Sequence, residues 1–426
     1  MNILSFIYRL ARWMAIGAAW LTILAIYAPV GYAQTLDLQQ ILDSIDQRNA
    51  SLRQYTYKQQ ASRNMANAAK AWPAPELGLG LTEFPYPGSG KQESDMARKM
   101  PMIRAQQMLP VFGRQRAEAH YYQSLIPVYA DEQASLRNQL RMRARTAYVD
   151  IWIYEHQLSI VHEQEAQLHL LMDILEKQLA YNKAQPADIY RIREKLADLH
   201  NQGISLQSLI VENKAVLNGL MNKPIGEDLR IDTTQWPLAE TAVAGKDTTH
   251  LLKQRADLRL LTHQQVSLDW QRQMVLAELK PRLTFSWDNM RMAGGMYMYN
   301  LMAMIALPAW PWAATSQRQQ ALSIQAEIQV ISQQQQAQLF EAQAEIASLH
   351  AHLQSLQQQM QNYRQEILPA YRQTYMTYLQ NLSETTGQVF ETLQAWEEWA
   401  AKQNDYLNLQ REYLHTHIAL LAAFEQ

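Results

Sequence analysis

The sequence predicts a mainly α chain with a small β part, laid out twice as helix, strand, strand, helix. Three observations carry that expectation. Glycine is scarce, 14 of 426 residues, while 48% of the chain is hydrophobic, a balance that favours long helices over a large all-β domain. Landmarks of the first half recur in order in the second. Two spans, of 58 residues between Pro127 and Pro186 and of 57 between Pro311 and Pro369, contain no proline.

The N-terminal segment comes first. Arg9 and Arg12 precede an uncharged apolar run from Trp13 to Tyr27, followed by Pro29, Gly31 and Ala33. This is the pattern of an export signal, so residues 1–33 are read as a signal peptide cleaved after Ala33. The competing reading is a retained anchor, since Trp13 to Ala33 is uncharged and long enough to span a bilayer. Pro29 and the Gly-x-Ala ending favour cleavage. Losing the two positive charges Arg9 and Arg12 takes the formal charge from −2 to −4, too slight an imbalance to imply nucleic acid or an acidic ligand. The chain has no cysteine, hence no disulfide, no thiol-linked lipid and no thiolate metal site. Beyond Ala33 no apolar run approaches the roughly 18 residues of a membrane-spanning helix.

The duplication defines two repeats, residues 34–235 and 236–426. Ala50, Leu52 and Arg53 match Ala256, Leu258 and Arg259, and Pro75 and Leu77 match Pro281 and Leu283, all 206 positions apart. Leu109-Pro110 matches Leu307-Pro308 at 198, and the difference falls where loop length varies at little cost. A fully helical proline-free span would reach roughly 85 Å. In the second span Leu339, Ala342, Ile346, Leu349, Leu353, Leu356, Met360, Tyr363 and Ile367 step by three and four. In the first, Ile151, Tyr154, Leu158, Val161, Leu168, Met172, Leu175 and Leu179 repeat the device. Both are heptad seams, and the seam passes beside the Gln333–Gln336 run, making that run a solvated helix face and not a disordered tract.

Each repeat also holds two short segments of period two, expected as hairpins at about 76–109 and 282–307. Leu77, Leu79 and Leu81 alternate with polar and small residues, as do Leu283, Phe285 and Trp287. One apolar and one polar face over about ten residues suits a transmembrane strand, although a half-buried strand of a soluble sheet looks the same. Four strands cannot close a barrel, and lipid does not tolerate an open edge, so several chains would share one barrel.

The residues at these junctions resemble the TolC family of outer-membrane efflux channels. Trp72-Pro73-Ala74-Pro75-Glu76-Leu77 leads into the first strand and Gln106-Gln107-Met108-Leu109-Pro110-Val111-Phe112-Gly113 leaves the second. Lys280-Pro281-Arg282-Leu283 and Leu307-Pro308-Ala309-Trp310 are their counterparts. The resemblance implies a homotrimer with a 12-stranded outer-membrane β-barrel and a long periplasmic α-helical barrel. It further implies a periplasmic adaptor (membrane fusion) protein and an inner-membrane pump, of RND type in some systems, with no cofactor and no catalytic residues. Family members usually carry Tyr-x-x-Gly at the helix-to-helix turn of the periplasmic tip. The matching tetrads here are Tyr181-Asn182-Lys183-Ala184 and Tyr378-Leu379-Gln380-Asn381, a departure in which Asn381 accepts a left-handed turn more easily than Ala184. An acidic constriction often follows, for which Asp188 and Glu384 or Glu391 are the candidates, with solvated helix charges as the plainer alternative. The segment Ala187-Asp188-Ile189-Tyr190-Arg191-Ile192-Arg193-Glu194 is similar to the heavy-metal subgroup.

Ten of the 19 methionines fall in the two hairpin segments. Met296, Met298, Met302 and Met304 share a face with Asn300, and Met100, Met102 and Met108 share one with Arg104. Met290 and Met292 extend the face holding Ser286 and Asp288. Arg104 would be costly against lipid, so the methionine row is expected to look into a pore. Thioethers are soft neutral ligands for Cu(I) and Ag(I), and the alternative is that methionine is a flexible filler. The pairs His350/His352 and His415/His417 do not face the same way on a helix and are expected to be packing or surface residues. No glycine-rich phosphate loop, HExxH, GxSxG or cysteine nucleophile supports an enzyme. Besides an efflux or secretion duct, a periplasmic coiled-coil scaffold or adhesin with a small soluble sheet remains open.

Overall fold

The computed structural model describes residues 35–82, 100–110, 113–180, 185–224, 226–232, 236–237, 254–291, 295–308, 310–384 and 388–424. The expected signal peptide lies outside the described residues. In the first half α1 (Leu38–Arg48) and α2 (Ala50–Ala68) lead to β1 (Glu76–Thr82) and β2 (Met100–Leu109), then α3 (Arg114–Ala180) and α4 (Pro186–Leu220). In the second, α5 (Ala256–Ala277) precedes β3 (Arg282–Arg291) and β4 (Tyr297–Ala306). There follow α6 (Pro311–Asn362), a π-helical turn (Tyr363–Ile367), α7 (Leu368–Ser383) and α8 (Val389–Ala423).

Local chemistry sets the helix starts. The Asp37 carboxylate accepts the Leu38 N–H at 2.7 Å while Gln40 accepts the Asp37 N–H at 3.2 Å, which closes the open donors of α1. Asn49 accepts the Ser51 N–H at 2.9 Å and so starts α2, and its own amide donates to the Leu220 carbonyl at 2.9 Å. That bond ties the first helices to the far end of α4. The matched residues Ala50 and Ala256 each open a helix, and Leu52 and Leu258 are both buried.

Pro186 and Pro311 open α4 and α6, whereas Pro127 and Pro369 lie within continuous rods. α3 begins at Arg114 and runs through Pro127 for 67 residues, roughly 100 Å. A mid-helix proline costs about 3 kcal/mol, and here α3 is packed against α2 and α5 on that stretch, which offsets the lost bond. Pro369 is passed differently. The helix widens into the π turn just before it, and the Leu368 N–H bonds to the Tyr363 carbonyl five residues back. A wider turn relieves the clash of the proline ring with the preceding turn, so Pro311 to Ser383 forms one rod of roughly 110 Å.

The seams pack as their spacing predicts. Ile151, Tyr154, Val161, Leu168 and Leu175 are buried in the main core between α3, α4 and α8, and Leu339, Ile346, Leu349 and Leu353 lie against Leu420 of α8 and Phe424 just after it. Gly203 of α4 faces Leu158 and Val161 of α3, where a Cβ would meet them at 3.8 and 3.9 Å. The glutamine run is helical, and Gln335 donates to Thr262 Oγ1 at 2.7 Å. Polar rungs join α3 to α8: Gln157 to Asn408 at 3.2 Å, Gln164 to Gln403 at 3.2 Å, and Trp396 Nε1 to Gln167 at 3.0 Å. Among the described residues no helix is long and apolar enough to cross a membrane.

Candidate functional site

The two hairpins join into one antiparallel sheet in the order β1-β2-β3-β4, the seam between the repeats being the β2–β3 pairing. Residues paired across strands share a face, so the register reads directly as rows. From the turn end towards the helices, one face presents Gly80, Met102, Met290 and Met298, then Gly78, Arg104, Asp288 and Asn300. Next come Glu76, Gln106, Ser286 and Met302, and last Met108, Thr284 and Met304. The methionines of three strands are thus brought together with Arg104 on one face. Met100 opens β2, Met296 precedes β4, and Met292 lies outside the described residues.

Arg104 is held by a bidentate pair with Asp288, Nε to Oδ1 at 2.7 Å and Nη2 to Oδ2 at 3.0 Å. Asp288 and Ser286 are buried beneath this face while the methionines above and below stay accessible, Met298 at 43%, Met302 at 45% and Met304 at 42%. The pair staples the two repeats at the centre of the sheet. Sequence reasoning placed both residues on this face but missed their contact. Opposite charges at matching parity on consecutive strands were the available signal.

The other face carries Leu77, Leu79, Leu81, Ile103, Phe285, Trp287, Leu301 and Ile305, all exposed, with Leu79 at 87% and Leu301 at 76%. Its polar members sit near the ends. Gln107 donates to the Pro73 carbonyl at 2.9 Å, and the Arg291 guanidinium lies over the Tyr297 ring at 5.8 Å. Exposed Tyr297 and Tyr299 mark the turn end, and exposed Trp72, Trp310 and Trp312 mark the helix end, where the last two stack with centroids 5.4 Å apart. An apolar band between two aromatic levels has the profile of a sheet surrounded by lipid. Within the described residues β1 and β4 each have one unpaired edge.

At the opposite end of the rods, Asp188 is in the first turn of α4. It accepts the Gln185 N–H at 3.2 Å and lies 3.9 Å from Arg191. Glu391 occupies the equivalent first-turn position of α8, three residues after Gln388 as Asp188 is after Gln185. The structure therefore aligns two acids that the sequence left in uncertain register. Tyr378 and Asn381 are placed differently from expectation. Both lie within α7, which continues to Ser383, so the turn begins at Glu384 and the tetrad is helix. Among described non-glycine residues only Asn222 has a left-handed backbone, at φ 55°. Tyr181 and Ala184 lie outside the described residues.

Among the described residues no three of His, Asp and Glu stand together as metal ligands would. His415 and Arg411 instead clasp Asp150 of α3, at 2.8 and 2.7 Å, and His263 and Arg259 clasp Asp131 in the same manner. His352 pairs with Glu412 at 3.3 Å, and His417 is buried and stacked on Tyr413. Burial pushes the Asp150 carboxyl up, but the hydrogen bonds from His415 and Arg411 outweigh it and leave the group below the usual carboxylate range. The spacing Arg-x-x-x-His occurs in both α5 and α8 and was legible, but its partner on α3 was not.

Solved structures of outer-membrane channels share the fold of this chain. The chain superposes on the outer-membrane channel OprN with a TM-score of 0.76 at 16% identity, covering 91% of this chain and 89% of that one. It superposes on CusC, whose structures concern folding and transmembrane channel formation, with 0.76 at 17%, covering 92% and 93%. On the outer membrane protein VceC of Vibrio cholerae the values are 0.71 at 18%, covering 91% and 96%. No protein-family model and no curated protein matches the chain. The likeness is one of fold.

Proposed function

We propose that this chain is one subunit of a homotrimeric outer-membrane channel, the passive exit duct of a tripartite efflux system. The observation that carries this reading is the sheet at the end of the helical rods. It has an apolar exposed face between aromatic levels, a polar face with an ion pair, and two unpaired edges. Open edges are not tolerated in lipid, and three such sheets joined edge to edge give twelve strands and a closed barrel. The α-helical rods then extend through the periplasm, the division at residues 34–235 and 236–426 making each repeat one hairpin of the barrel and one pair of rods. The first-turn acids Asp188 and Glu391, with Tyr181, Ala184, Tyr378 and Asn381 near them in the chain, form the periplasmic tip, where an adaptor docks. An inner-membrane pump, of RND type, supplies the energy, and the chain itself is not an enzyme.

We read the cargo as soft metal ions, Cu(I) or Ag(I), on the strength of the methionines that share the polar face. A drug-efflux or type I secretion duct uses the same architecture. Deleting the gene and measuring copper, silver and antibiotic tolerance separates the two. The metal reading expects hypersensitivity to copper and silver with antibiotic tolerance unchanged, and a deletion strain with normal metal tolerance would sink it. A periplasmic scaffold would fractionate as a soluble elongated protein, whereas the channel appears as a heat-modifiable trimer in outer membranes.

A further inference from the structure

Resting on that channel reading, we infer that Met102, Met290 and Met298 form one three-thioether site for Cu(I) or Ag(I) near the external end of the barrel lumen. The observation is the register. Met102 of β2 is opposite Met290 of β3, and Met290 is opposite Met298 of β4, so three sulfur side chains stand at one level on three consecutive strands. Directly opposed side chains have Cβ atoms about 5 Å apart, within reach of one another for a residue with methionine's three rotatable bonds. Closing the sheet into a barrel with this face inward tilts the flanking side chains towards the central one, which concentrates the sulfurs over Met290.

The neighbouring positions fit the assignment. On β1 the same level is Gly80, where an added Cβ would stand 3.5 Å from the Met102 methyl. The missing side chain leaves Met102 space over β1 and no competing donor. The next level inward holds Arg104, a cation that would repel metal ions, but Asp288 neutralises it through two short hydrogen bonds. Among the described residues no other level offers three sulfurs: Met302 is beside Ser286 and Gln106, and Thr284 separates Met304 from Met108. Three neutral thioethers favour a soft monovalent ion over hard competitors, and their neutrality leaves the ion free to depart, as an exit duct requires. The exposed leucines and aromatics lie on the opposite face of the sheet, so these methionines are not part of its apolar band.

The test is silver binding by the intact trimer in detergent, titrated as silver nitrate in chloride-free buffer. Calorimetry gives the stoichiometry, and X-ray absorption at the silver edge gives the ligand shell. One Ag(I) per protomer with a sulfur shell is expected for the wild type. The triple variant Met102→Leu, Met290→Leu, Met298→Leu should bind at least about tenfold more weakly, while Met108→Leu with Met304→Leu stays near the wild type. Unchanged binding by the triple variant overturns the site. Methionine to leucine conserves volume, and if the triple variant fails to assemble, Met290→Leu alone removes the central ligand and is judged by the same criterion. Planar-bilayer conductance of the same trimer separates the two claims. A trimer that does not conduct refutes the channel, whereas a conducting trimer whose silver binding survives the variants refutes only the site.

Discussion

The Asp150 clasp shows how single residues hold the rods in register. A carboxylate whose side chain is 10% exposed would be costly alone, and Arg411 with His415 on the facing helix supplies two donors across α3 and α8. Its folded value lies below the ordinary carboxylate range, so its stabilising contribution is complete above that range and is lost as the pH falls through the depressed folded value. Asp150→Asn should therefore destabilise the protein at neutral pH by about 2 kcal/mol, with solvent at Arg411 limiting the loss. The difference from wild type should shrink as the pH falls below the ordinary carboxylate range, read as thermal midpoints at neutral and at acid pH. Tyr148 behaves oppositely. Burial, helped by Asp37, Asp232 and Glu155, pushes its hydroxyl up to about 12, so stability should decline as the pH rises above its ordinary value of 10.0.

At the scale of elements, the α3–α4 hairpin turns on a close approach at Gly203. The nearest atoms to an added Cβ are at ordinary contact distance, so Gly203→Ala should stabilise the hairpin by about 0.5–1 kcal/mol through lost unfolded-state freedom. Gly203→Leu should overpack Leu158 and Val161 and cost about 1–3 kcal/mol, both measurable by denaturant unfolding. The heptad spacing made this pairing legible, because apolar residues at three- and four-residue steps must find a partner helix. The helix ends were less legible. Proline was read as a boundary, yet Pro127 is carried by packing and Pro369 by a π turn, and both solutions depend on neighbours that no local pattern contains. The tip tetrad Tyr378 to Asn381 was likewise read from a local motif, whereas α7 continues to Ser383.

For the whole molecule, the decisive property is a sheet whose two faces want different solvents. Leu79, on the apolar face at 87% exposure, should be intolerant of charge. Leu79→Arg is expected to cost about 2–4 kcal/mol per protomer in the membrane and to abolish the heat-modifiable trimer in outer-membrane fractions, while Leu79→Ile leaves it intact. A trimer unaffected by Leu79→Arg would show that this face does not meet lipid.

The sequence by itself determined the duplicated plan, the helical seams, the four strands and the sorting of side chains to two faces. Each follows from a short-range period, 3.5 or 2, or from repeated landmarks, and needs no knowledge of what lies across the fold. Only the tertiary structure decided which positions stand level with one another. Arg104 meeting Asp288, Asp150 meeting Arg411 and His415, Asp188 matching Glu391, and Met102, Met290 and Met298 sharing a tier all depend on strand register or helix phase between segments as far as 265 residues apart. Period fixes the face a side chain points to, but its opposite number is set by packing, because a register slip leaves the local pattern of each segment unchanged while replacing every partner.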